Sequence, residues 1–326
     1  MATGPAYLWD EIRRNKRRSY VLMFLTGLLL TATGGTFGAY CGREAGAALG
    51  LALAFGLTVI LWLVSYYGGG SLMLSASSAR RIEKADHPRL FNVVEEMSIA
   101  AGTPPPAVYI IEDSAPNAFA TGRDPAHSAV AITTGLLDKL DRDELQGVMA
   151  HELSHVRNYD IRFATMMAVM VGSVALMCDA FRRMAFYGGG RGRRSSSGGG
   201  RGRGGGGAQA IIMLLALVLA ILAPIFAKLL QLAMSRRREY LADASAAELT
   251  RFPEGLARAL DKISGDQEVL EVANRATAHL YIVNPIKSFE ARAAGLFSTH
   301  PATDERVRIL REMSHNFEPR PASDQA

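Results

Sequence analysis

Long uncharged runs alternate with mixed, periodic stretches along this chain, and that alternation divides it before any motif is read. Ser19 to Gly42 carries no charged side chain, and neither does Ala45 to Ala79, whose most apolar part runs from Ala45 to about Tyr67. Each exceeds the ~20 residues that an α-helix needs to cross a bilayer. With only Arg43 and Glu44 between them, the two runs predict a tight two-helix hairpin over residues 19–70. Farther along, Ala208 to Ala227 is uncharged for a full span, whereas only 16 uncharged residues separate Arg162 from Asp179, a borderline length.

Between the apolar blocks the pattern is that of a water-facing domain. Apolar residues at helical spacing follow Pro88 and predict an amphipathic helix near residues 86–97. Ala107 to Ile111 and Ala129 to Thr133 are short β-branched runs bounded by turn residues, so they predict strands; Asn117 to Gly122 predicts an extended segment ending in a turn. Asp141 with Glu144 three residues on forms a capping box that opens a helix through Leu145, Val148, Leu153 and Val156. The resulting division is a basic segment 1–18, a hairpin 19–70, a first part of the water-facing domain 71–162, a second hairpin 163–234, a second part of that domain 235–313 and a tail 314–326.

Charge adds orientation. Arg13, Arg14, Lys16, Arg17 and Arg18 precede the first run, and one Arg lies in the connecting turn, which places the N-terminus in the cytoplasm by the positive-inside rule. The net charge of +5 has a local origin, because residues 182–207 hold seven Arg and no acid, leaving 5 − 7 = −2 elsewhere. Residues 188–207 consist entirely of Gly, Arg and Ser and are read as a solvated linker that builds no core. Nucleic acid is therefore not an expected partner. Cys41 and Cys178 form no paired-ligand pattern, so neither a disulfide framework nor a cysteine metal site is expected.

The candidate chemistry lies on the capped helix, in His151-Glu-Leu-Ser-His155. Residues four apart stack on one helix face, so both imidazoles can reach one metal ion. A catalytic zinc takes three protein ligands and leaves a position open. Glu239, on a helix expected to leave the membrane after Arg236, Arg237 and Arg238, is the candidate third ligand. Asp243 shares its face and is placed to accept the free ring N–H of a ligating histidine. Glu152 is rotated off the ligand face and reads as the general base of a peptide hydrolysis by zinc-activated water. His300, beside Pro301, is a weaker candidate for holding an oxyanion. His87, His127, His279 and His315 carry no supporting pattern.

Together these parts resemble the HtpX family of membrane-integrated zinc metalloproteases, relatives of the CAAX prenyl endoproteases. The resemblance runs over residues 6–312 and rests on the basic two-span N-terminus, HisProArgLeu at 87–90, AsnAlaPheAlaThrGly at 117–122, the His151 helix, Glu239-Tyr-Leu-Ala-Asp243 and the His300-Pro301 segment. It implies an α+β, mainly helical integral membrane protein with a gluzincin-like domain interrupted by the second hairpin. It implies one Zn2+ per chain on His151, His155 and Glu239, with Glu152 as base. Asn117 and Ala118 would pair with the backbone of an extended substrate by strand addition, and His300 and Arg306 would approach the cleft. Ala302, where members often have a second Pro, and the Gly/Arg/Ser insertion are departures. The expected setting is a bacterial inner membrane, multi-pass, with the site facing the cytoplasm and misfolded membrane proteins as substrates. Two rival readings compete with this one. A site-2-type protease needs the motif inside an apolar span, and the helix from Asp141 to Asn158 is too polar; a membrane scaffold tethering RNA or lipid through the Arg/Gly loop would leave any metal structural.

Overall fold

A computed structural model describes residues 5–170, 236–266, 268–270, 280–283 and 301–317. The first helix, α1 (Pro5–Leu63), is helical throughout, yet its halves lie side by side. A methyl group added at Gly34 would fall 2.1 Å from Ala54 Cβ, and one at Gly27 would fall 2.3 Å from the Trp62 indole. Those pairs are 20 and 35 residues apart, so the chain reverses near the expected turn; glycines at the contact let the two halves approach this closely. The backbone keeps helical turns through the reversal, whereas the sequence predicted a separate connection. Leu49, Leu53, Phe55, Leu57 and Ile60 are exposed on its outer face. Among the described residues one segment, Gly46–Ala76, is long and apolar enough to cross a membrane.

A π-helical turn (Val64–Gly68) leads into α2 (Gly69–Ala76), which docks the hairpin on the catalytic domain. Met73 and Leu74 of α2 join Ile111, Phe119 and Tyr281 in one buried apolar cluster. The sheet that follows has the order β1-β2-β4-β3: β1 (Arg80–Arg81) antiparallel to β2 (Ala107–Ile111), β2 parallel to β4 (His127–Thr133), and β4 antiparallel to β3 (Ala118–Asp124). The expected strands are therefore present, and the segment after Asn117 is a strand at the edge of the sheet.

The site helix is held from several sides. α3 (Pro88–Ala101), with Pro at its first turn and Gly102 in the left-handed cap position, packs Leu90, Val93, Val94 and Met97 inward. After the short α4 (Thr134–Lys139), Asp141 and Glu144 close the predicted capping box at the start of α5 (Arg142–Arg157). Leu145, Val148, Met149, Leu153 and Val156 of α5 enter the main core with Leu256 and Leu260 of α8 (Pro253–Gly265) and Leu310 of α9 (Thr303–Phe317). The chain turns at Tyr159, which has positive φ, and continues as α6 (residues 160–170). α7 (Arg236–Thr250) packs along α5. Residues 171–235, which contain Cys178, most of the expected second hairpin and the Gly/Arg/Ser loop, lie outside the described residues, as does His300.

Candidate active site

α5 and α7 bring the predicted ligands together. His151 Nε2 lies 3.2 Å from His155 Nε2, and the Glu239 carboxylate lies 3.9 Å from the first and 3.7 Å from the second. His151 and Glu239 are buried, and His155 is nearly so. Ligands about 2.0–2.2 Å from a tetrahedral zinc stand about 3.3–3.5 Å apart, so the triangle matches that size. Two imidazole lone pairs facing each other at 3.2 Å repel unless a proton or a metal cation lies between them. That juxtaposition makes His151, His155 and Glu239 a possible metal site among the described residues.

Both histidines are braced from behind. His151 Nδ1 is 2.9 Å from Asp243 Oδ1, the partner expected from the sequence, in a close but poorly aligned approach. His155 Nδ1 is 3.1 Å from Asp160 Oδ2, a partner the sequence reading missed. Carboxylates behind ligating histidines fix the ring orientation and raise ligand basicity. Asp243 is in turn gripped by Arg306, whose Nε and Nη2 donate to its two oxygens at 2.8 and 2.7 Å, while Nη1 donates to Ile282 O at 3.0 Å. Arg306 is 1% exposed and its Nη1 lies 3.9 Å from Glu239 Oε2, while His300 of the same expected segment lies outside the described residues.

Burial and charge set the protonation pattern. Burial raises Glu152 to about 7, against the nearby positive groups and a backbone hydrogen bond from Ala120. Burial alone would depress the His155 imidazolium, but its hydrogen bond to Asp160 and the Glu239, Asp160 and Glu152 charges outweigh it and push the group up to about 9. His151 is lowered, chiefly by burial, with Asp243 opposing. For Asp243 burial works upward, yet Arg306 overrides it and holds the carboxyl near 2. Burial thus works against a charge on His151, while the surrounding carboxylates favour one on His155.

The site opens onto a cavity. His151, Glu152, His155, Glu239 and Ala120 line it, with Tyr281 and Ile282 on another wall. Asn117 and Ala118 lie at the sheet edge beside it, where their polar groups already have partners in the chain. Ile282 N–H donates to Ala118 O at 3.0 Å, and Asn117 Nδ2 donates to Val283 O at 2.9 Å. Sequence reasoning gave no warning of this pairing.

A His-Glu-x-x-His helix, a carboxylate brought to it by a second helix and a sheet edge beside a cleft are the parts of a metallopeptidase site. The sequence pattern of Peptidase family M48 matches residues 84–314. A protein named Protease HtpX homolog from Dictyoglomus thermophilum is 43% identical over 313 residues, covering 96% of this chain and 97% of that protein. Proteins of the same name from Tropheryma whipplei and Listeria monocytogenes are each 44% identical over 95% and 94% of this chain and 100% of their own length. Among solved structures, S. mikatae Ste24p is similar over 94% of this chain and 67% of that one, at 20% identity and a TM-score of 0.47. The chain belongs to peptidase family M48 and is a metalloprotease.

Proposed function

We propose that this metalloprotease is a membrane-bound zinc endopeptidase in which Glu152 is the general base. The observation that carries the reading is the triangle of His151 Nε2, His155 Nε2 and the Glu239 carboxylate, with Glu152 on the wall of the same cavity. Zinc held there supplies Lewis acidity, which polarises a carbonyl and acidifies a water. Glu152 accepts the proton of the attacking water and returns it to the departing amine nitrogen. Asp243 and Asp160 hold the two imidazoles so that both Nε2 lone pairs converge. Arg306 keeps Asp243 ionised and fixed.

Substrate recognition follows from the sheet edge. An extended peptide that adds to β3 takes hydrogen bonds from the Asn117 side chain and gives one to Ala118 O. In the free protein Tyr281 to Val283 makes those bonds, so binding requires this segment to leave the edge. Exposed apolar residues along α1 and α2 support insertion of the hairpin in the bilayer, and the basic residues before it support a cytoplasmic site in a multi-pass inner-membrane protein. That location favours misfolded or damaged membrane proteins as substrates, and His300 is proposed to approach the reacting carbonyl.

The test is zinc content and casein cleavage by detergent-purified protein beside Glu152→Gln. One zinc per chain in both, with cleavage by the unmodified protein alone, supports the reading. Absence of zinc and of cleavage in both, after metal loading, refutes it.

A further inference from the structure

Two buried arginines flank the site, and they are satisfied differently. Arg306 turns the Nε–Nη2 edge of its guanidinium onto Asp243 in a bidentate pair, and its Nη1 donates to Ile282 O. Arg238, next to the ligand Glu239, is 6% exposed and lines the same cavity. Its Nη1 reaches a single carboxylate oxygen, Asp160 Oδ1, at 3.3 Å. The Phe163 ring lies 5.2 Å from its Cζ. Among the described residues its Nε and Nη2, the edge that Arg306 commits to a carboxylate, are buried without a hydrogen-bond partner.

Leaving donors of a charged group buried and unpaired costs more than an ordinary hydrogen bond returns, so such groups call for an explanation. Asp160 does not supply it, because Asp160 engages Nη1 and turns its other oxygen to His155 Nδ1. The free edge is also the one whose two parallel N–H vectors match a carboxylate; a lone carbonyl would satisfy half of it. The arrangement places two parallel donors without an acceptor among the described residues one residue from Glu239, on a cavity-lining side chain that Asp160 joins to His155.

We propose that the Nε–Nη2 edge of Arg238 is a substrate subsite for a carboxylate close to the scissile bond. The inference rests on the peptidase reading and deepens it: the enzyme discriminates among peptides, favouring those that bring an anionic group to this wall. Two sources share that chemistry, an Asp or Glu side chain beside the cleaved bond and a free C-terminal carboxylate a short distance beyond it. Arg238 also touches Asp160, so loss of the side chain lowers catalysis on every peptide. The diagnostic quantity is therefore a ratio between peptides.

The experiment uses the full-length, zinc-loaded protein in detergent and internally quenched peptides of one neutral sequence, with Glu introduced on either side of the cleaved bond and with the C-terminus free or amidated. Unmodified protein is expected to favour one anionic peptide by about tenfold or more in kcat/KM, mainly through KM. In Arg238→Gln that ratio falls to about one, and in Arg238→Lys, which offers a point charge without the planar edge, it is intermediate. Preference for Glu that survives amidation identifies a side-chain carboxylate, and preference abolished by amidation identifies the C-terminus. Equal rates for all peptides in the unmodified protein, or a ratio unaltered by Arg238→Gln while all rates fall together, overturns the proposal and leaves Arg238 as a positioning residue for Asp160. Anisotropy of the same peptides on zinc-loaded Glu152→Gln protein reads the subsite without turnover. Anionic preference there, with no cleavage by the unmodified protein, would separate failure of the peptidase reading from failure of the subsite.

Discussion

His151 with His155 and Glu239 with Asp243 were legible as pairs because helical spacing puts each pair on one face; that the two pairs share a site rested on the expected membrane hairpin and on the family resemblance. Asp160 and Arg238 were not legible. Asp160 lies beyond the end of α5, and it reaches His155 only because Tyr159 takes a positive φ and turns the chain. No periodicity encodes such a turn at a tyrosine. The consequence is measurable: Asp160→Asn removes the carboxylate behind His155 and is expected to weaken zinc affinity by about 10- to 100-fold, read by competition with a chelating dye. The pH dependence has a definite sign. His155 must be neutral to ligate, and in the metal-free protein it is pushed up to about 9. Below pH 9, zinc uptake therefore displaces a proton, and affinity rises by about tenfold per unit from pH 7 toward 9 before levelling off. Calorimetry in buffers of different ionisation enthalpy is expected to show about one proton released at pH 7.5.

At the scale of elements, the sequence announced α5 through its capping box and gave the strands through their β-branched runs. What it withheld was contact between distant elements. The Asn117 bond to Val283 spans 166 residues, and no local pattern carries that information. The close packing of α5 on α8 is likewise invisible, although it explains a glycine in the site helix: a methyl group at Gly147 would fall 2.6 Å from Leu256 N. Backbone cannot yield as a side-chain tip does. Gly147→Ala is thus expected to destabilise by about 1–3 kcal/mol despite its better helix propensity, seen as a lower thermal midpoint. The segment at the sheet edge makes its own prediction. Ile282→Pro deletes the N–H that Ala118 O accepts, weakening an internal competitor for the strand edge, so peptide KM is expected to fall while zinc content stays at one per chain.

For the whole molecule, hydropathy revealed the hairpin because two uncharged runs with a two-residue interruption leave few other arrangements. The same signal is weak for the third run, which is short for a span. The outer surface of α1 poses a physical demand that water does not meet. Leu49, Leu53, Phe55, Leu57 and Ile60 from one half and Phe24 and Leu28 from the other are exposed, a continuous apolar surface of the kind that marks a lipid or partner contact. Meanwhile α2 ties the hairpin to the domain, since Tyr281 Oη donates to Ser77 Oγ at 3.2 Å and Met73 and Leu74 pack beside Phe119. If the hairpin crosses a bilayer, its base and the catalytic cavity fall on one side and the turn near Arg43 on the other, which is a testable expectation. Cys41 lies close to that turn and serves as a native reporter. In a Cys178→Ser background, a membrane-impermeant maleimide is expected to label Cys41 from outside intact cells, whereas a cysteine introduced at the exposed Ser78 is labelled only after permeabilisation. The reverse pattern would invert the orientation and put the catalytic cavity outside the cytoplasm, and labelling of both from one side would mean that the hairpin lies on the membrane without crossing it.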